Sequence, residues 1–340
     1  MFKKLLLAIV AASIAGICGV SGQEASETIK VNTRLVSVPV VVSDRDGRYV
    51  PNLKASDFSV TQDGQRQSIE FFAATDEPLT IGVLIDTSHS TRAVLSDIKD
   101  SAMALLKLLR PVDRAMIVTF DYDTHILSAL TSDRERLASA IRSAEIPDTP
   151  GTTLRDAIYQ PINRSFAGIK GRKALIVLTD GKDARSRIYT DELLYTLEET
   201  DTLVYTIMFK TGPLAGQRPP RGQDSIGIYG GGFPPLGGPR RPIRDNPRRA
   251  QRAQRVELKN QEAEDFLREM SDTTAGRFFT SEDGRLSRTF TSIIDELRFQ
   301  YRLGFYPPDE TSNDALHQLR VTVNRPDIAV RARRSYRIQD

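Results

Sequence analysis

The residues that most restrict this chain are Thr80-Ile81-Gly82-Val83-Leu84-Ile85, followed without a break by Asp86-Thr87-Ser88-His89-Ser90. An uninterrupted apolar run, partly β-branched, predicts a strand buried on both faces, as in a parallel sheet covered by helices on either side. The run ends in a carboxylate and two hydroxyls at alternate positions, where strand gives way to loop. In open α/β sheets ligands bind just beyond the carboxyl ends of the strands. Asp86, Ser88 and Ser90 therefore gather hard oxygen donors where a ligand is expected. Such donors suit Mg²⁺, Mn²⁺ or Ca²⁺ far better than zinc or copper.

From Leu79 onward the sequence alternates strands and helices. Val94, Leu95, Ile98, Ala102, Leu105 and Leu109 share one helical face, and Pro111 ends that helix. Strands are expected at 115–120 and 124–127, around a turn at Asp121-Tyr122-Asp123, with helices near 134–143 and from Thr153. Ala174 to Thr179 forms a second wholly apolar strand that again ends in an aspartate, Asp180. A helix near 191–198 and a strand at 203–208 continue the βαβ rhythm of a doubly wound sheet. Residues 211–255 break it: Gly230-Gly231-Gly232, Pro234-Pro235 and many arginines predict a disordered Gly/Pro/Arg-rich insert. Helical patterns return at 257–270 and 285–297, with a short strand at 277–279 between them.

Two β-forming stretches flank this unit. Residues 31–75 hold the strand Leu35 to Val42 and a hairpin from Phe58 through Gln62-Asp63-Gly64-Gln65 into Ser68 to Phe72. Residues 300–338 hold three more strands. Each stretch is too short to close a sandwich alone. The expected fold class is α/β: a doubly wound, mostly parallel sheet over 79–299, inserted between β segments that pair as one small β-sandwich.

The chain of 340 residues opens with the anatomy of a secretory signal. Lys3 and Lys4 precede an apolar core, Leu5 to Ile17, and Val20-Ser21-Gly22 forms a small-residue cleavage site. That core is too short for the roughly 20 residues of a membrane span, so residues 1–22 read as a signal peptide. The mature protein is then exported, periplasmic or extracellular, without a transmembrane segment. Cys18 is the only cysteine and lies inside the signal, which excludes disulfides and thiolate metal sites afterwards. The net charge is +3, of which Lys3 and Lys4 supply two, so nothing points to nucleic acid. His89, His125 and His317 are too dispersed for a His-rich zinc site.

Two more loops complete a constellation. Pro150-Gly151-Thr152-Thr153 places hydroxyls where a glycine-containing loop enters a helix, and Thr179-Asp180-Gly181 places a carboxylate at the end of the second central strand. With Asp86-Thr87-Ser88-His89-Ser90, the order and spacing resemble the von Willebrand factor type A domain. Its metal-ion-dependent adhesion site joins Asp-x-Ser-x-Ser to a distant Thr and Asp. The signal sequence, flanking β segments and Arg333-Arg334-Ser335-Tyr336 tail also resemble the secreted VWFA-related acidobacterial domain proteins. The resemblance implies a divalent cation held by Ser88, Ser90 and Thr152 through hydroxyls, with Asp86 and Asp180 acting largely through bridging waters. It further implies an open coordination position filled by an Asp or Glu carboxylate of a protein partner, hence adhesion rather than catalysis. Asp156 belongs to the following helix, and His89 sits at a variable, exposed position.

The rival reading is a hydrolase, metal-assisted or serine-dependent, on the same scaffold. Ser88 and His89 are neighbours on an extended loop and point apart, and no Gly-x-Ser-x-Gly elbow surrounds Ser88. Gly168 to Lys173 lacks phosphate-loop spacing, and no residue stands out as a general base. The sequence therefore reads as a binding module and not an enzyme.

Overall fold

The structure is a computed structural model that describes residues 35–74, 77–211, 247–281, 286–308 and 315–338. The expected signal segment lies outside the described residues, as do 212–246 of the expected insert.

The α/β unit is built on a six-stranded sheet. Leu79–Asp86 (β5), Arg114–Phe120 (β6), Thr124–Thr131 (β7), Arg172–Thr179 (β8), Leu203–Met208 (β9) and Phe278–Thr280 (β10) line up in the order β10-β9-β8-β5-β6-β7. All pairings are parallel except β6 with the edge strand β7. Every residue of β5 and β9 is buried, which explains their unbroken apolar runs: each face meets a layer of helices. On one side Leu95–Leu108 (α1), Arg134–Arg142 (α2) and Leu286–Arg298 (α6) pack against Ile81, Val83 and Ile85. On the other, Leu154–Gln160 (α3), Thr190–Glu199 (α4) and Pro247–Thr273 (α5) cover Leu84, Leu175 and Val177.

The chain leaves β5 toward β6 and returns to β8 on the opposite flank of β5. That reversal opens a crevice beyond the carboxyl ends of the central strands. Asp86 closes β5 and Asp180 follows β8, so both aspartates stand at its mouth.

The β segments form two antiparallel sheets. Val36–Asp44 (β1), Phe71–Ala73 (β4), Tyr301–Phe305 (β11) and Ile328–Ala332 (β13) run in the order β13-β1-β11-β4. Phe58–Gln62 (β2), Gln65–Gln67 (β3), His317–Val323 (β12) and Ser335–Tyr336 (β14) run in the order β14-β12-β2-β3. Val38 faces Leu303 across β1 and β11, and Val60 faces Val321 across β2 and β12. Inner-face residues of both sheets, among them Val38, Val40, Phe58, Val60, Leu303 and Phe305, share one core. Phe305 meets Tyr336 edge-on, their centroids 5.8 Å apart.

Two local readings need correction. The hairpin partner expected at 68–72 starts earlier and is shorter: β3, Gln65–Gln67, pairs with β2, residues 68–70 are not strand, and Phe71 and Phe72 belong to β4, which pairs with β11. Residues 247–255, assigned to the disordered insert, are instead the first turns of α5. Proline is tolerated at a first helical position, and the Arg, Ala and Gln that follow are helix formers, so local propensity outweighs the Pro/Arg-rich composition.

The two parts are fastened by buried arginines. Arg172, at the start of β8, donates to the carbonyls of Arg298 (2.8 Å) and Gln300 (3.1 Å). Arg333 donates to the carbonyls of Ser37, Glu198 and Thr200 at 2.8–3.2 Å. Glu296 on α6, 1% exposed, accepts from Tyr205 (2.5 Å) and pairs with Arg331 and Arg277. No described helix is long and apolar enough to cross a membrane.

Candidate metal centre

The centre begins with how β5 ends. The Thr87 amide still donates to the Phe120 carbonyl (2.9 Å), continuing the pairing with β6 for one more residue. The Thr87 hydroxyl reaches the Asp121 carboxylate at 2.9 Å. The chain then tightens into a short helical turn, His89–Thr91, fixed by the Thr91 hydroxyl on the carbonyls of Asp86 (3.0 Å) and Ser88 (2.8 Å). This turn brings Ser88 and Ser90 to the same side, their Oγ atoms 3.0 Å apart. Ser88 is buried and Ser90 exposed, so the hydroxyl pair leads from the interior to solvent.

Asp86 is fully buried. Its Oδ1 accepts the Ser88 amide (2.9 Å), and its Oδ2 accepts the Thr179 hydroxyl (2.6 Å) from the end of β8. Burial first, and then the negative charge of Asp180, push the Asp86 carboxyl up to about 7, against the opposing pull of these hydrogen bonds. Asp180 is also fully buried. Its Oδ2 accepts the Lys182 ammonium (2.6 Å) and the Thr211 hydroxyl (2.5 Å), and Lys182 also donates to Thr211 (2.6 Å). Gly181 between them has φ +77°, and a Cβ there would come within 2.9 Å of Leu267 on α5. Only glycine lets the chain turn at this point while keeping Asp180 inside.

Thr152 is carried by a clamp of backbone bonds. Its carbonyl accepts the amides of Ala184 (3.1 Å) and Arg185 (3.0 Å) from the loop after β8. Two carboxylates shape that loop. Asp183 accepts the Ser186 hydroxyl (2.5 Å) and the Arg155 amide (2.9 Å), while Asp156 accepts the amides of Arg187 and Ile188 at 2.9–3.2 Å. Gly151 has no room for a side chain, since a Cβ would meet the Tyr122 Cα at 2.9 Å. Thr153 secures the other flank by donating to the Asp121 carbonyl (3.1 Å).

Hydrogen bonds and charge thus link Asp86, Ser88, Ser90 and Asp180 directly, while Thr152 is tied to the same loops through its backbone. Thr179, Lys182, Asp183 and Thr211 escaped the sequence reading. Thr179 and Lys182 flank Asp180 in the sequence, but Thr211 lies 31 residues away with nothing local to mark it. The neighbours Ser88 and His89 form no catalytic pair: His89 Nε2 meets the Pro147 carbonyl at 2.7 Å, and Ser88 Oγ faces Ser90. The donor chemistry fits a hard divalent cation, with hydroxyl oxygens beside two buried carboxylates whose mutual repulsion such an ion would relieve.

Residues 81–182 match the family model of the von Willebrand factor type A domain. The α/β unit thus resembles a von Willebrand factor type A domain. Among solved structures, it resembles an aerotolerance-related membrane protein from Bacteroides fragilis, at 17% identity and a TM-score of 0.43 over 65% of this chain and 98% of that one. It also resembles the vWF domain of a type V pili tip protein from Porphyromonas gingivalis, at 13% identity and a TM-score of 0.42 over 66% and 95%. A third is proximal thread matrix protein 1 of the mussel byssus with a zinc-occupied MIDAS motif, at 14% identity and a TM-score of 0.46 over 69% and 49%. No match was found among curated proteins.

Proposed function

We propose that this von Willebrand factor type A domain is an exported binding module that captures an acidic group of a protein partner through a divalent cation, Mg²⁺ or Mn²⁺ with Ca²⁺ as the alternative. Ser88, Ser90 and Thr152 would hold the ion, and Asp86 and Asp180 would supply negative charge around it. The observation that carries the reading is the pair of fully buried aspartates at the mouth of the crevice, where burial and the charge of Asp180 both raise the cost of charging Asp86. Hydroxyl ligands leave most of an ion's charge uncompensated, so a carboxylate from outside would be drawn to an open octahedral position. The Lys182 ammonium on Asp180 supports the same view, since a cation already neutralises part of the site. The chain's residues bind and orient in this scheme, and no bond is broken.

Isothermal calorimetry with Mn²⁺ tests the reading. Wild-type protein should take up one ion, and Thr152→Ala should lose that uptake while keeping its far-UV spectrum. Equal Mn²⁺ affinity for wild type, Asp86→Ala and Thr152→Ala would overturn it.

A further inference from the structure

Beside the Thr152 loop lies a cavity of about 720 Å³ that the cation reading leaves unused. Three arginines line it: Arg164, just after α3, and Arg185 and Arg187, in the loop after β8. All three residues are exposed. Arg185 lies over the Tyr122 ring (4.2 Å to the centroid) and donates to its hydroxyl at 3.1 Å. Arg164 and Arg187 make no side-chain hydrogen bond or ion pair with the described residues. Two carboxylates also line the cavity. Asp156 is engaged by the amides of Arg187 and Ile188, which leaves Asp123 as the one lining carboxylate without a partner among the described residues. The cavity wall is continuous with the candidate metal centre, because Tyr122 and Arg185 both press on Gly151, the residue before Thr152.

Arginines with unpaired guanidiniums lining one cavity match carboxylates, which guanidiniums bind in a planar, two-pronged geometry. The Tyr122 face, on which a sugar ring would stack, is already covered by Arg185. The cavity rim includes Thr124 and His125, where β7 starts, and β7 is the sheet edge. An extended peptide can lie along such an edge and pair with its backbone. We propose that the groove is a second binding site for an acidic peptide segment of the partner. One carboxylate would go to the cation, and neighbouring Asp or Glu side chains would go to Arg164 and Arg187. The inference rests on the cation-dependent reading above and adds to it the chemistry of the partner: a run of acids rather than a single one.

Fluorescence anisotropy separates the two claims, using a labelled peptide of eight glutamates and a labelled serine peptide with one central glutamate, each with Mn²⁺. The double variant Arg164→Gln/Arg187→Gln should bind the polyglutamate about tenfold more weakly, as loss of a charge-assisted contact predicts. It should bind the single-glutamate peptide like wild type and take up Mn²⁺ unchanged in calorimetry. Arg320→Gln/Arg334→Gln, which removes two exposed arginines of the sandwich, should leave polyglutamate affinity unchanged. Equal polyglutamate affinity for wild type and the groove variant would overturn the proposal, as would an equal loss in the sandwich variant. Polygalacturonate displacing the peptide more strongly than the peptide displaces itself would overturn the assignment to a peptide. If wild type takes up no Mn²⁺, the cation reading fails, and the groove stands or falls on its arginine dependence alone.

Discussion

Buried charge is handled differently at the two ends of the α/β unit. Where α6 and β8 meet the sandwich, Glu296 has Tyr205, Arg277 and Arg331 around it, and Arg172 and Arg333 are spent on backbone carbonyls. Burial pulls the Arg333 guanidinium down to about 10, still protonated at neutral pH. At the mouth of the crevice Asp86 and Asp180 are buried just as deeply, yet the charge of Asp180 works against that of Asp86, and among the described residues Lys182 is the one ammonium bound to them. Charge that the chain neutralises for itself is structural. Charge that it leaves under-neutralised at a strand end is what the proposed cation would complete.

The junction is where substitution should cost most. Arg172→Met or Arg333→Met strands two or three buried carbonyls at once. Hydrogen bonds to charged groups contribute roughly 1.5–3 kcal/mol each, so a loss of about 3 kcal/mol in urea unfolding is expected for either variant. Mn²⁺ uptake should be unchanged. A variant that unfolds like wild type but loses Mn²⁺ would break the contrast, because it would make the junction part of the binding device.

At the mouth the expectation reverses. Asp86→Asn removes one of two repelling carboxylates while keeping a side chain that can bond to Thr179 and Ser88. The metal-free variant should therefore melt no lower than metal-free wild type. Its gain on adding Mn²⁺ should vanish, whereas wild type at a hundredfold excess over Kd should gain about 2.7 kcal/mol. A sharp loss of metal-free stability would show that Asp86 is structural, like Glu296.

The contrast also explains what could be read before the structure. The strands β5 and β8 were legible because burial on both faces writes an unbroken apolar run, and the aspartates ending them fall where the fold class puts ligands. The pairing of Val36–Asp44 with Tyr301–Phe305 was legible only as an argument from incompleteness, since neither segment carries a mark of its partner. The junction arginines were invisible, because Arg172 and Arg333 look like any surface arginine until the carbonyls around them are known. Lys182 was equally silent: a lysine after Asp-Gly reads as solvated, and only the approach of Thr211 shows the ammonium drawn inward.

Lys182 also gives the finest test of the contrast. Its ammonium, 2.6 Å from Asp180 and about a third exposed, neutralises part of the charge that a divalent ion would otherwise claim. An ion entering the site competes with that ammonium for the carboxylate. Lys182→Met keeps the length and the apolar stem of the side chain and removes only the charge, so metal-free protein should become slightly less stable while Mn²⁺ binds more tightly. Because the ammonium is partly solvated, the gain is modest, about fivefold, or roughly 1 kcal/mol. Calorimetry of wild type and variant in the same buffer measures it, and raising the salt concentration should narrow the difference as the ammonium is screened. Weaker Mn²⁺ binding in the variant would instead make Lys182 a support that positions Asp180 for the ion, and the mouth would then be organised from within, as the junction is.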